Sequence, residues 1–238
     1  MNFLTPYFNI DSQQHITVSD QQGSRFAKEI AGDFNPIHNE GSKRFCVPGD
    51  LLFAIALNRY GLFASMQFNF LGMLGANASV RYSSEAEIAQ GVLQLLNSND
   101  KQVLDIQAKG EQSQRPENIE QLVRNYVRFS GQNFPHILVP LMKKHGVMIN
   151  PARPLVIYES MAFELDDINA DNIDLTLDNS TLEVNGKRGN ATLFFSLQSN
   201  GKNIGHGEKK LVLSGLREYD EKAITELSDS YLASRDNY

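Results

Sequence analysis

The sequence has no tryptophan and only one cysteine, Cys46, in 238 residues. A single cysteine cannot form a disulfide within the chain, so we expect a reducing compartment, the cytoplasm. Basic residues are also few: 22 Lys and Arg stand against 28 Asp and Glu, and the net charge is −6. The densest basic groups are pairs such as Lys143–Lys144, whereas proteins that bind phosphates usually carry a basic stripe. We therefore expect no nucleic-acid partner.

Long apolar runs are missing as well. The longest candidate, LLFAIAL at 51–57, is far shorter than the roughly 18 residues that span a membrane. The first residues lack the basic segment and the apolar core of a signal peptide. With 41% apolar and 21% charged residues, the composition is that of a globular protein with a sizeable core. We expect one large domain or two smaller ones, no membrane partner, and an assembly compatible with a homodimer.

The beginning of the sequence predicts a strand, a helix and a loop. HITVSD (15–20) alternates like a short strand and ends in good helix caps such as Ser19. SRFAKEIAG (24–32) has the apolar spacing of an amphipathic helix and ends at a glycine. Pro36 then pushes the residue before it towards extended geometry. Residues 33–38 are therefore expected to form a loop directly after a helix.

A second helix is predicted at GDLLFAIALNRYG (49–61), with Asp50 as its N-cap and Gly61 as its stop. Its interior is apolar on nearly every side, so we expect it to be buried. Patterns typical of strands follow at 65–71, 78–88, 91–98 and 102–111.

The second half repeats this order of helices followed by strands, without visible sequence identity between the halves. Helices are predicted at 115–132 and 135–146, and the charged tail from Arg217 is expected to be a surface helix. The predicted strands lie at 158–168, 174–186, 191–201 and 204–215.

An apolar helix followed by antiparallel strands is typical of the hotdog fold, a sheet wrapped around one helix. FAKEIAGDFNPIH (26–38) closely resembles the motif of MaoC-like, R-specific enoyl-CoA hydratases, G-D-x-N-P-I-H, which leads into the central hotdog helix. Six of the seven motif positions match, from Gly32 to His38, with Phe34 in the free position. The close match spans about 26–60, and the whole chain is also similar to a bacterial family of unassigned function.

The expected fold class is α+β, a double hotdog with two antiparallel sheets, each wrapped around a helix. Its halves are 1–113, which carries the motif, and 114–238, which has no copy of it. In tandem hotdog chains that resemble this one, one half supplies the catalytic loop and the other completes the acyl tunnel.

The resemblance implies a hydratase or dehydratase that acts on a 2-enoyl or 3-hydroxyacyl thioester of CoA or a carrier protein, without a metal or redox cofactor. Hydration needs an activated water, a proton for the α-carbon and a partner for an enolate-like oxygen. By resemblance, Asp33 and His38 are the acid–base pair, and Gly49 supplies a backbone donor to that oxygen. Asn35, Pro36 and Asp50 are assigned to the substrate-binding part of the site, where Asn35 and Pro36 shape the turn.

The start of the second helix departs from the family, in which it usually reads I-x-H-G-M/L. Here CVPGDLLF (46–53) keeps Gly49 but has Pro48, which lacks an N–H, and Asp50, whose charge would oppose an oxyanion. A second hypothesis is therefore a non-catalytic acyl-thioester binder or interaction protein that keeps the hotdog fold. Thioesterase action is a third, since the fold hosts that reaction too. A Cys46–His38 nucleophilic pair is the weaker interpretation, because an unpaired cysteine is more often a small buried apolar residue.

Overall fold

The computed structural model, which describes all residues from 1 to 238, contains twelve strands and seven α-helices. The strands are β1 (Asn9–Ile10), β2 (His15–Thr17), β3 (Leu62–Phe70), β4 (Val80–Tyr82), β5 (Leu93–Asn97), β6 (Gln102–Ser113), β7 (Val147–Met148), β8 (Val156–Leu165), β9 (Ile173–Asn185), β10 (Arg188–Ser199), β11 (Lys202–Ser214) and β12 (Arg217–Glu218). The helices are α1 (Asp20–Arg25), α2 (Gly49–Tyr60), α3 (Glu85–Ala89), α4 (Pro116–Gly131), α5 (Asn133–His136), α6 (Leu138–Lys144) and α7 (Glu221–Asp236).

Ten of the strands form one continuous antiparallel sheet in the order β1-β2-β4-β5-β6-β3-β8-β11-β10-β9. Strands of the N-terminal part join those of the C-terminal part where Ser65–Asn69 of β3 pairs with Ser160–Glu164 of β8. The predicted antiparallel α+β class is confirmed, and strands from both parts of the chain share the ten-stranded sheet, while β7 pairs with β12 in a separate two-stranded sheet. The double-hotdog arrangement and the halves 1–113 and 114–238 stay predictions.

Helix α2 lies between the sheet and α4, and every side chain from Leu51 to Leu57 is buried. Phe53 makes aromatic contacts in both directions, with ring centroids 5.0 Å from Phe68 of β3 and 4.7 Å from Tyr126 of α4. Complete burial of such a side chain stabilises a fold by about 1.5–3 kcal/mol. This packing fixes the start of α2 against α4, and the site is built at that contact.

The predicted helix at 24–32 begins earlier, since Ser19 forms a capping box with Gln22 and α1 continues as a π-helix over Phe26–Ala31. Gly32 ends it in the left-handed region, with φ 67°. The predicted strand at 78–88 is wrong in its second part, because Ser84 caps the short helix α3 there.

Two further predictions concern the helices near the site. Asp50 was expected to be the N-cap of α2, and this is wrong because Pro48 holds that position. The predicted helix in the tail is confirmed as α7, although two of its side chains, Ile224 and Tyr231, are buried. No helix combines the length and the apolar character needed to cross a membrane.

Candidate active site

The turn after the π-helix is fixed by hydrogen bonds among its own residues. Oδ1 of Asp33 accepts a hydrogen bond from the Asn35 amide at 2.9 Å, and Oδ1 of Asn35 accepts one from the Ile37 amide at 3.2 Å. Pro36 then begins a short 3-10 helix, Pro36–His38, as proline favours the first helical position. Asn35 and Pro36 therefore bring the Asp33 and His38 side chains to the same side of one turn.

Asp33 and His38 face each other without a direct hydrogen bond. Nε2 of His38 lies 3.6 Å from Oδ2 of Asp33, beyond normal hydrogen-bond length. Nδ1 of His38 lies 2.7 Å from the carbonyl oxygen of Cys46. Because a carbonyl oxygen only accepts, Nδ1 carries the proton in the neutral ring, and Nε2 is left with a lone pair towards the carboxylate. Their side chains are 23% and 13% exposed, so small molecules can reach both.

Tyr231 of α7 supports the carboxylate from a distant part of the chain. Its hydroxyl lies 3.2 Å from Oδ1 of Asp33 and 3.1 Å from the carbonyl oxygen of Gly131, and it accepts a hydrogen bond from the Phe34 amide at 3.0 Å. Burial, together with the nearby Asp33 charge, raises the pKa of Tyr231. The hydroxyl therefore stays protonated and can serve as a donor to the carboxylate.

Cys46 is not placed as a nucleophile. Its thiol bonds the Val47 carbonyl oxygen at 3.4 Å, and only its backbone carbonyl reaches His38. Burial raises the pKa of the thiol to about 11, so the reactive thiolate is scarce near neutral pH. Cys46 orients the imidazole through its carbonyl oxygen.

The first backbone amides of α2 are free of partners. The Pro48 carbonyl oxygen accepts hydrogen bonds from the Leu51 and Leu52 amides, at 3.0 and 3.3 Å. The N–H groups of Gly49 and Asp50 make no hydrogen bond within the protein. Since a helix N-terminus also carries partial positive charge, this end of α2 can receive a negative oxygen.

The Asp50 side chain turns away from these amides and joins a buried polar group of three residues. The Ser130 hydroxyl of α4 lies 2.6 and 2.8 Å from the two carboxylate oxygens of Asp50 and donates its one hydrogen to this carboxylate. Lys209 of β11 donates to the same Ser130 hydroxyl, and its ammonium lies 4.3 Å from the ring centroid of Tyr158. Asp50, Ser130 and Lys209 are 7%, 5% and 4% exposed.

Burial disfavours charge on both ionisable members of this group. It raises the pKa of Asp50, while Lys209 and Ser130 oppose that shift. It lowers the pKa of Lys209, while the Asp50 charge opposes that shift. Lys209 and the Ser130 hydroxyl therefore offset part of the Asp50 charge near the start of α2.

A cavity of about 340 Å³ connects these parts, within the usual size range of ligand sites. All six residues that the sequence assigned to the site line it: Asp33, Asn35, Pro36, His38, Gly49 and Asp50. The C-terminal part of the chain contributes further lining residues that the sequence reasoning missed: Ser130, Asn133, Tyr158, Lys209 and Tyr231.

Two of these residues, Lys209 and Ser130, could have been recognised from the sequence, because each is a polar residue on the buried face of its strand or helix. Lys209 follows Gly205 and Gly207 on the inward face of β11, where a charged side chain is out of place. Ser130 follows Tyr126 and Val127 on the buried face of α4 in the same way. A polar residue at a core position of an otherwise apolar face marks a buried polar site.

Comparison with known proteins gives the chain a family and distant structural similarities. The family model that matches residues 2–222 is described as "Protein of unknown function (DUF3581)". No curated protein shows significant sequence similarity to the chain.

Among solved structures, the chain is similar to a tesB protein of Mycobacterium avium subspecies paratuberculosis, with 9% identity, a TM-score of 0.47, and 89% of this chain and 98% of that one covered. An acyl-CoA thioesterase II, TesB2, from Mycobacterium marinum has 8% identity and a TM-score of 0.47, over 92% and 98% of the two chains. A protein titled MaoC-like dehydratase has 9% identity and a TM-score of 0.41, over 88% and 98%. Because these TM-scores are below 0.5, any function must be derived from the site itself.

Proposed function

Since the chain belongs to this family of unknown function, we propose an activity from the geometry of its site. The protein is a hydratase or dehydratase that acts on a 2-enoyl or 3-hydroxyacyl thioester of CoA or a carrier protein. The observation that carries this proposal is the separation of 3.6 Å between Nε2 of His38 and Oδ2 of Asp33, on the wall of a cavity.

This separation suits one water molecule held by both groups. Both facing atoms are acceptors in the tautomer that the Cys46 carbonyl oxygen selects. A water can donate one hydrogen to Nε2 and the other to the carboxylate, which leaves its oxygen lone pairs free to attack. The Tyr231 hydroxyl and the Asn35 amide hold Oδ1 of Asp33 and keep its other oxygen in place.

The reaction then follows from general acid–base chemistry. Nε2 of His38 takes a proton from the water as the water oxygen bonds to C3 of the enoyl group. The electron pair of the C2–C3 double bond moves towards the thioester and gives an enolate. The imidazolium returns a proton to C2, so that one water has been added and the pair regains its first protonation state. Asp33 orients the water and stabilises the imidazolium, and no redox cofactor is required.

The start of α2 is suited to the enolate oxygen. The Gly49 and Asp50 amides have no partner in the protein, and the helix dipole favours negative charge there. Pro48 lacks an N–H, but its carbonyl oxygen satisfies the next two amides and leaves these two available. Lys209 and Ser130 offset the Asp50 charge, which the sequence alone suggested would oppose an oxyanion.

Under the competing hypothesis, a non-catalytic binder whose helix start is closed, Asp50 is expected to cap the amides of α2. Asp50 makes no such bond, because its carboxylate binds Ser130 instead. This arrangement favours the enzyme over the binder.

The test is incubation with short and medium 2-enoyl-CoA thioesters, followed by the loss of the conjugated enoyl absorbance. We expect Asp33→Asn and His38→Ala each to lower kcat by about 10²–10⁴-fold, the usual contribution of a positioned acid or base. His136→Ala is the control, since His136 is exposed and does not line the cavity. Unchanged rates in both site variants, or release of free CoA in place of hydration, would contradict the proposal.

A further inference from the structure

Asn133 is a buried polar residue with no internal partner. It is 4% exposed, and neither Nδ2 nor Oδ1 of its carboxamide makes a hydrogen bond in the protein. No other buried side-chain nitrogen or oxygen atom in the chain is left in this condition. Because an unpaired buried polar group is costly, a protein that retains one usually has a partner for it outside the chain.

The place of Asn133 in the fold indicates what that partner is. The residue lines the cavity and follows Gly131 by two positions at the end of α4. Gly131 touches the turn of the acid–base pair: a Cβ atom added there would lie 3.1 Å from the Asp33 nitrogen. Consecutive Cα atoms are about 3.8 Å apart, so the Cα of Asn133 lies at most about 7.6 Å from that of Gly131, near the turn of the acid–base pair. It lines the same cavity as Asp33 and His38 and is not one of the acid–base residues.

A carboxamide is matched by a ligand group that both donates and accepts a hydrogen bond. Nδ2 can donate to a carbonyl oxygen while Oδ1 accepts from an N–H, and a secondary amide offers both. The arm that carries acyl groups on CoA and on carrier proteins has a secondary amide two carbons from the sulfur. We propose that Asn133 binds this amide and so selects thioesters carried on such an arm. This inference rests on the proposed function for the identity of the thioester.

The experiment compares two crotonyl thioesters that differ in this amide. Crotonyl-N-acetylcysteamine carries the amide, and the S-pentyl thioester of crotonic acid has a similar length without it. The proposal expects wild-type protein to favour the first by about tenfold in kcat/KM, the effect of roughly one buried hydrogen bond. Asn133→Leu should reduce that preference to near one, chiefly through KM. Gln132→Leu, at an exposed neighbour that does not line the cavity, should keep it.

A preference that persists in Asn133→Leu overturns the inference. An equal fall in the kcat/KM of Asn133→Leu with both thioesters also overturns it, because the Asn133 side chain would then serve the fold or hold a bound water. If wild-type protein hydrates neither thioester, the proposed function fails. The inference is then decided by calorimetric binding of butyryl-N-acetylcysteamine and S-pentyl thiobutyrate. Wild-type protein must bind the first more tightly, and Asn133→Leu must bind the two with nearly equal affinity.

Discussion

The hydroxyl of Tyr231 lies 3.2 Å from Oδ1 of Asp33, although 198 residues separate the two along the chain. The same hydroxyl accepts a hydrogen bond from the buried Phe34 amide. Helix α7 thus fixes both the orientation of the carboxylate and the backbone that carries it.

Tyr231→Phe should lower both activity and stability. The variant keeps the ring, which packs edge-on against Phe34 at 6.2 Å, and removes only the hydroxyl. Without it the Phe34 amide is buried without a partner, so we expect a loss of about 1–3 kcal/mol in the free energy of unfolding. We expect kcat to fall about tenfold, since Asp33 loses one of the donors that orient it.

Tyr238→Phe is the matched control for this variant. Tyr238 also packs against Phe34, at 5.8 Å, but its hydroxyl binds Glu29 at the surface. Chemical denaturation and steady-state kinetics of both variants separate the two effects. If the two variants had the same free energy of unfolding and the same kcat, the Tyr231 hydroxyl would not support the site.

Gly131→Ala should separate α4 from the turn of the acid–base pair. A Cβ atom at this position would lie 2.1 Å from the Ala31 carbonyl oxygen, so the backbone must shift. Helix propensity alone would favour alanine by about 1 kcal/mol, whereas this close contact should cost about 1–3 kcal/mol. We expect a net loss of stability together with a fall in kcat. Gly75→Ala is the control, since no atom lies within 4 Å of an added Cβ there. A more stable Gly131→Ala variant would contradict the importance of the contact.

The local features of the site could be predicted because short-range chemistry determines them. A glycine with φ of 67° ends the helix before Asp33, and Pro36 begins the next turn. Both effects depend only on neighbouring residues. The position of Asp50 could not be predicted in this way, because it depends on Ser130 and Lys209, 80 residues and more further along the chain. Without that partner group, an N-cap was the natural expectation for an aspartate at a helix start.

Tyr231 and Asn133 illustrate the part of the site that sequence reasoning could not assemble. Tyr231 shares the buried face of α7 with Ile224, which predicts burial but not a contact with Asp33. Asn133 lies where α4 gives way to α5, and nothing in the sequence indicates that its carboxamide lacks a partner. Contacts of this kind arise only when the helices pack.

Lys209→Met should destabilise the protein most at neutral pH. The change leaves the buried Asp50 carboxylate without its positive partner, and breaking such a pair costs about 3–5 kcal/mol. Without Lys209 the pKa of Asp50, already raised by burial, rises further in the folded state. In the unfolded chain the pKa of an aspartate is about 3.9. At pH values between this pKa and the raised pKa of Asp50, the folded variant therefore binds a proton that the unfolded chain does not.

Protonation of Asp50 therefore favours the folded state of the Lys209→Met variant. The difference in the free energy of unfolding between wild type and this variant should shrink as pH falls from 7 towards 5. Denaturation of both proteins across this range measures the effect. The double variant Asp50→Asn/Lys209→Met should lose less stability than Lys209→Met alone, because no charge remains buried. A stability difference between wild type and Lys209→Met that does not change with pH would show that Asp50 is not the group left unpaired.

Asp50→Asn tests the part of the site that receives the enolate. Asparagine keeps an oxygen for the Ser130 hydroxyl and removes the carboxylate charge near the free Gly49 and Asp50 amides. If those amides stabilise the enolate, loss of the nearby negative charge should preserve or raise kcat. Burial lowers the pKa of Lys209, so the lysine can release its proton when the carboxylate is absent, which limits the loss of stability.

Gly49→Ala should have the opposite effect on kcat, since an added Cβ would lie 2.8 Å from the Tyr158 ring and 3.3 Å from the Phe70 ring. Both rings must move, and the Gly49 amide moves with them, so we expect kcat to fall about tenfold or more. Gly72→Ala is the matched control, because Gly72 also lines the cavity but has no atom within 4 Å of an added Cβ. A drop of more than tenfold in Asp50→Asn, with Gly49→Ala unaffected, would assign the reaction to the Asp50 carboxylate instead of to the amides of α2.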